Sequence, residues 1–454
     1  MKKSLLLSLA LGLAGATVTQ AADLYITGST AFRVNVYDAC FKLFDTAPAT
    51  NANPAIATLA FGTSATGGNY PQAAGADDKN TQWVMTGTVT GTIPAMGATP
   101  LTIHALFTGS VSGISDTESG NPITFIKIDG TTTNNPPTIS FSDVASTATP
   151  YSVGNTSNFK EEKVAVQPFV IAKSNGGGSM TNVTDLTTEQ LQNIIKIGRI
   201  RQSAFSHNPA DVGNFVYLIN RTQDSGTRLS ALREVNYIYN SPVNVYIYDF
   251  TNATFFTPTT LTPYTIGNAN AGVVGSPGNN FANTNWGPGY VAGSDVSKEL
   301  GYVTNNTAIA YLSFADAKGI TSTNWGQVIS FNGVWPTGDG SALTIPQHAV
   351  TNIDFTPVMY GTYPFWNYEY LIEPLAVESE SLQNLTTAQL GDGNSPGTIL
   401  GVLNHVATTG SPTPLVGSID NEILLSKTNS IGNTAIRLID MHASRATVGG
   451  LITP

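Results

Sequence analysis

Cysteine is almost absent from this chain of 454 residues: Cys40 stands alone. No internal disulfide can form, and a lone small thiol in an apolar stretch reads as a core residue. Charge is scarce too. Asp, Glu, Lys and Arg make up 11% of the chain, 30 acids against 20 bases, for a formal charge of -10. That balance excludes ordinary nucleic-acid binding, because affinity for a phosphate backbone rests on Lys and Arg. It also gives an anion no long-range steering, so an anion site has to work locally, through hydrogen bonds and helix ends. Past the first residues no stretch approaches the roughly eighteen uninterrupted apolar residues of a membrane span.

Catalytic and metal motifs are missing as well. There is no G-x-S-x-G, since Gly109-Ser110-Val111-Ser112-Gly113 has valine at the nucleophile position. The histidines, His104, His207, His348, His405 and His442, are scattered and form no H-E-x-x-H or i,i+4 pair. They read as structural or surface residues. No Walker-type glycine loop is present. Asp339 and Asp392 sit in glycine turns without the ligand ladder of an EF-hand. The expectation is a protein that is not an enzyme and carries neither cofactor nor metal.

What is present begins with a leader. Lys2 and Lys3, the apolar run Leu5 to Ala16 and the small-residue Thr19-Gln20-Ala21 read as a cleavable signal peptide over residues 1–21. No Cys follows the cleavage point, so the mature chain is expected in the periplasm or secreted, without a lipid anchor. Two stretches, roughly Asn51 to Pro100 and Ser241 to Ser294, are rich in Thr, Asn, Gly, Ala and Pro and read as loop-rich or β-rich insertions. The aromatic run Tyr360 to Tyr370 reads as a strand, part hinge and part core.

Elsewhere a short apolar strand, a small polar loop and a helical period recur. Leu24-Tyr25-Ile26 leads through Thr27-Gly28-Ser29-Thr30 to Phe32, Val36, Ala39, Cys40 and Leu43 at helical spacing. Phe215 to Ile219 leads through Asp224-Ser225-Gly226-Thr227 to Leu229, Leu232 and Val235. Thr187 to Gln190 is a capping box. Strands alternating with helices argue for α/β layers around mostly parallel sheets. Each strand–loop–helix unit brings unpartnered backbone N–H groups and a helix dipole to one point, which suits an anion.

At these loops the chain resembles a known family. Arg221-Thr222-Gln223-Asp224-Ser225-Gly226-Thr227 is similar to the R-x-D-G-S-G-T segment of periplasmic phosphate-binding proteins of ABC importers. In the same order come Ile26 to Phe32, like the G-A-T-F opening, Thr108 to Ile114, like a serine-glycine loop, and Ile139 to Asp143, like a strand ending in S-D. Thr307 to Tyr311 and Tyr363 to Tyr370 resemble two later strands. The resemblance implies a two-lobed, periplasmic-binding-protein-like (type II) α/β fold, each lobe a mixed, mostly parallel sheet flanked by helices. Lobe 1 would be 22–166 plus 357–454 and lobe 2 167–356, with crossovers near Gln167-Pro168 and Thr356-Pro357.

By matching positions, the resemblance implies that phosphate or a related tetrahedral oxyanion is bound in the interlobe cleft. Lobe 1 would contribute Ser29, Thr30, Ser110 or Ser112, Gly113 and Asp143; lobe 2 would contribute Arg221, Ser225, Gly226 and Thr227. The expected partner is an ABC permease, and the protein is expected to be monomeric. Arg221 offers a planar fork of donors to two anion oxygens. Asp143 is an acceptor beside an anion, which suits a protonated phosphate oxygen and penalises sulfate. Two positions depart from the family: Gln223 stands where it has Asp, and Asp224 where it has Gly. Asp224 then either pairs with Arg221 or Arg228 or weakens anion binding. The alternative reading is a secreted surface or matrix protein that keeps the fold without transport.

Overall fold

The computed structural model describes residues 21–45, 60–61, 82–152, 159–174, 183–238, 353–374 and 435–453, with interspersed stretches between 243 and 338 and between 384 and 426. Residues 1–20, most of both Thr/Asn-rich stretches, His348 and Asp339 lie outside the described residues.

The strands that position the site are β1 (Ala22–Gly28), β2 (Gln82–Gly87), β3 (Leu101–Leu106), β4 (Ile139–Ser142), β5 (Phe159–Lys173), β6 (Arg199–Arg201), β7 (Phe215–Leu218), β8 (Thr307–Ser313), β9 (Val328–Phe331) and β10 (Trp366–Pro374). The helices are α1 (Arg33–Lys42), α2 (Ser110–Ser119), α3 (Thr188–Ile197), α4 (Gly226–Glu234) and α5 (Gly293–Tyr302). The strands form one large mixed sheet, in the order β6-β7-β8-β5-β10-β4-β1-β3-β2, with β9 on β5. Parallel pairing is found where the sequence predicts strand–loop–helix units: β1 with β3 and β4, and β7 with β8. The long strands that run between the halves pair antiparallel with their neighbours, so the sheet is less parallel than expected. β1, β3 and β8 are buried almost along their whole length, as expected of central strands with both faces covered.

The sheet divides into two halves where β5 changes partner. Phe159 to Pro168 pairs with β10, and Phe169 to Lys173 pairs with β8. Pro168 stands at the change, a position where its missing N–H costs the ladder least. Two cores follow. Leu24, Ile26, Phe32, Trp83, Ile103, Phe141 and Leu371 belong to the first. Val170, Ile194, Leu218, Leu232, Ile309 and Trp366 belong to the second. A small third cluster, Val111, Ile114, Val144, Leu229 and Ile372, joins α2, the end of β4, α4 and β10. The two-lobed α/β architecture is therefore present.

Local signals explain most element ends. Thr187 and Gln190 close the capping box of α3, and Ser225 caps α4 by accepting from Arg228 N at 3.2 Å. Cys40 is fully buried on α1, and burial pushes its thiol pKa well up, as expected of a core residue. Tyr363, Phe365 and Trp366 are buried, and the aromatic strand itself begins only at Trp366. The chain after β10 returns to the first core through Leu385, Ile399 and Ile423. It then crosses back, because Ile436 pairs with Val166 and packs on the second core.

Gly28 ends β1 at φ +116°, and a Cβ there would run into the backbone of Phe141. Gly28→Ala is expected to lower folding stability by more than about 1 kcal/mol, read as a drop in the denaturant midpoint at unchanged slope.

Candidate functional site

Three strand–loop–helix units bring their loops together where the halves meet. From the first half come Thr30, after β1, and Ser110, the first residue of α2. Asp143 follows β4 directly. All three are almost fully buried, with Asp143 only 1% exposed. From the second half come Arg221, after β7, and Ser225, Gly226 and Thr227 at the start of α4, each buried.

Hydrogen bonds cross between the halves at this point. The Arg221 guanidinium donates from Nη2 to Thr30 Oγ1 at 3.1 Å and from Nε to the Tyr290 carbonyl at 3.2 Å. Thr227 Oγ1 donates to Asp143 Oδ2 at 3.4 Å, and Ser110 Oγ donates to Asp143 Oδ1. Asp143 N in turn donates to Ser110 Oγ at 3.3 Å. Gly226 lies directly against the carboxylate, and a Cβ there would fall on Asp143 Oδ1. The amides of Gly226 and Thr227 belong to the first helical turn and have no intrahelical acceptor. A negative charge is therefore already accommodated at the α4 N-terminus, where the helix dipole favours it.

Other predicted residues are placed differently. Ser29 Oγ accepts from Phe32 N at 3.2 Å, and Ser29 N donates to the Phe141 carbonyl at 2.7 Å, so this residue shapes the turn into α1. The expected Thr108 to Ile114 loop is shorter than its sequence suggests, because α2 starts at Ser110. Ser112 consequently sits inside the helix, bonded to Thr108 Oγ1 at 2.8 Å and the Gly109 carbonyl at 3.0 Å. Gly113 uses its N–H on the Gly109 carbonyl at 2.8 Å and packs against Gly28. Its lack of a side chain serves helix–strand contact. Of Ser110 and Ser112, it is Ser110 that faces Asp143.

The structure also brings in residues that no motif announced. Arg33, in the first turn of α1, pairs with Asp316 across the halves at 3.4 Å. Asp316 also accepts from Ser313 Oγ at 2.8 Å. It is the leading electrostatic partner of Arg221, ahead of Asp143; burial lowers the Arg221 pKa, and these carboxylates oppose that. Asp224, meanwhile, is half-buried and feels Arg228 as its cationic neighbour, against burial that raises its pKa. Its carbonyl accepts from Val111 N at 3.0 Å, tying α4 to α2. A further buried acid, Glu369, lies on β10.

His104 bonds the Ile126 carbonyl at 2.8 Å and Asp23 at 3.3 Å, and His442 stacks on Tyr360. Asp392 closes its own turn, accepting from Asn394 N at 3.0 Å and Ser395 Oγ at 2.6 Å. Among the described residues no group of three or more His, Cys, Asp or Glu could hold a metal ion, and no helix is long and apolar enough to cross a membrane.

Burial holds the Asp143 pKa up at about 6, against the Ser110 hydroxyl, the Arg221 guanidinium and the Thr227 hydroxyl, which favour the ionised form. With the folded value above the unfolded one, Asp143 contributes stability that is full below about pH 4 and lost as pH rises through about 6. Asp143→Asn is therefore expected to flatten the fall in folding stability that the wild type shows between about pH 4 and pH 7.5. At pH 3.5 it should change stability little. Chemical denaturation at the two pH values checks this.

No protein-family model and no curated protein sequence matches the chain. Among solved structures it is similar to one from Clostridium perfringens, described as a phosphate ABC transporter substrate-binding protein with bound phosphate. Identity is 12% over 92% of this chain and 99% of that one, with a TM-score of 0.43. An ABC-type phosphate transport receptor from Vibrio cholerae matches at 15% identity over 79% of this chain and 89% of that one, TM-score 0.35. A high-affinity periplasmic phosphate-binding protein, solved with phosphate, matches at 14% identity over 90% and 99%, TM-score 0.36.

Proposed function

We propose that this chain is an extracytoplasmic solute-binding protein that captures phosphate, or a closely related protonated oxyanion, between its two halves and delivers it to an ABC permease. The observation that carries this reading is the meeting of Thr30, Ser110 and Asp143 from one half with Arg221, Gly226 and Thr227 from the other, all buried and linked across the halves. The Arg221 fork supplies charge-assisted donors, and the Thr30, Ser110 and Thr227 hydroxyls and the α4 amides complete a shell that replaces hydration. Asp143 is the selective member. Its carboxylate accepts a hydrogen bond from a phosphate hydroxyl, whereas sulfate at neutral pH has no proton to give and leaves like charges facing each other. Asp316 adds a buried counter-charge for Arg221 and, through its pair with Arg33, ties the halves at the same place. Binding with closure of the halves is the transport-competent event of this reading.

Titration calorimetry with phosphate, arsenate, sulfate and molybdate tests it. Phosphate and arsenate are expected to bind and sulfate to bind far more weakly; equal heats from sulfate and phosphate would rule out the role of Asp143. Binding of none of these anions would favour the surface-protein reading. Arg221→Ala is expected to weaken phosphate binding by roughly 2–5 kcal/mol, since it leaves buried carboxylates without their counter-charge. Asp143→Asn is expected to narrow the gap between phosphate and sulfate more than it weakens phosphate itself.

A further inference from the structure

Arg445 lies in the stretch 435–453, outside the main sheet, yet it is only 5% exposed. Its guanidinium gathers acceptors from two places. Nη1 donates to the Trp366 carbonyl at 2.7 Å, to Glu234 Oε2 at 3.2 Å and to Asn367 Oδ1 at 3.4 Å, and Nη2 donates to the Pro364 carbonyl at 2.8 Å. The same group lies over the Trp366 ring, 4.8 Å from its centroid. Pro364, Trp366 and Asn367 mark the entry of β10, one of the strands that run between the halves. Glu234 is the last residue of α4, whose first residues stand at the oxyanion site.

A second bond links the same two elements. Asn367 Nδ2 donates to Ser230 Oγ of α4 at 2.5 Å, and both residues are buried. Ser230 and Glu234 are four residues apart and share one face of the helix. That face is held to the entry of β10 directly at Ser230 and through Arg445 at Glu234. The rest of the stretch is itself anchored beside the hinge. Ile436 and Val166 of β5 exchange backbone hydrogen bonds of 2.8 and 2.9 Å, two residues before the proline where β5 changes partner. His442 N donates to the Met359 carbonyl at 2.9 Å, and a Cβ on Gly449 would run into the Arg233 backbone. The stretch thus grips β5, the approach to β10 and the end of α4 together.

Arginine suits this position. A planar fork of donors can serve two carbonyls, an amide oxygen and a carboxylate at once, which the point charge of lysine cannot. Buried charge pairs add little net stability, so the effect of the fork is to hold its partners at set places. Strands that cross between halves are where a hinge has to bend. We propose that residues 435–453 form a clasp over this hinge and that Arg445 is its positioning residue, fixing the far end of α4 to the strands between the halves. The direction in which α4 presents its N-terminal amides to the anion is then set from behind. Over nine residues, about 13 Å of helix, a tilt about the Ser230 bond would carry the Gly226 and Thr227 amides away from Asp143. The consequence for the anion rests on the phosphate-binding reading; the hold on α4 does not.

The full mature chain tests this with Arg445→Gln and Glu234→Ala, both away from the oxyanion site. Amide hydrogen exchange in Arg445→Gln should quicken at least about tenfold across α4. It should stay at the wild-type rate in α3, which packs on the same core. Calorimetry should show phosphate bound at least about tenfold more weakly by each variant, with no further loss in the double variant. Glu234→Ala separates positioning from charge, because removing a negative charge by itself favours an anion, so weaker binding there reports geometry. Unchanged α4 exchange, equal quickening in α3 and α4, or phosphate binding in Glu234→Ala as tight as in the wild type would each overturn the proposal. If Arg445→Gln does not fold, Glu234→Ala supplies both readouts. A wild type that binds no phosphate sinks the functional reading, and α4 exchange then decides the clasp by itself.

Discussion

A carboxylate at 1% exposure has to be satisfied by the protein, and Asp143 draws its donors from both halves of the molecule. Ser110 reaches it from the first half, and Thr227 from the second, with Gly226 pressed against it at the mouth of α4. Desolvation of that charge is unfavourable, and the hydroxyls and helix end offset it only while the halves are together. The packing of one half on the other and the assembly of the site are consequently one set of contacts. Separating them would return Asp143 to water and strip the α4 N-terminus of its counter-charge at the same time.

Around this contact the chain concentrates charge that it withholds elsewhere. Only 11% of its residues are charged, yet Arg33, Asp143, Arg221, Arg228 and Asp316 are each 4% exposed or less. Opposite signs meet across the boundary: Arg33 of the first half pairs with Asp316 of the second, and Arg221 of the second feels both Asp316 and Asp143. Buried ion pairs of this kind contribute little net stability, because desolvation cancels most of their attraction. Their value is geometric. They hold guanidinium and carboxylate groups at fixed places in low-dielectric surroundings, where each charge acts strongly on its neighbours.

Much of this was legible in residue order. The strand–loop–helix units at Leu24 and Phe215 are where their apolar runs and turn residues place them, because hydrophobic periodicity and capping act locally. The Ser110 region was legible in part. Its small residues mark a close approach, but Gly109 and Gly113 serve helix start and helix–strand contact, so Ser112 and Gly113 lie within α2. Arg33 and Asp316 were not legible at all as neighbours of this place. Each sits in an ordinary helix turn or strand, and its partner lies far along the chain: 283 residues separate Arg33 from Asp316.

The sequence by itself determined the α/β alternation, the helix starts that point donors outward, the buried lone cysteine and the local character of any anion site, since these follow from periodicity, capping and a shortage of cations. Tertiary structure alone decided which loops meet, which hydroxyls reach Asp143 and which acid pairs with Arg33 across the halves. Those outcomes depend on the register between distant strands and on which charges lose water together, and neither is encoded in any one stretch of chain.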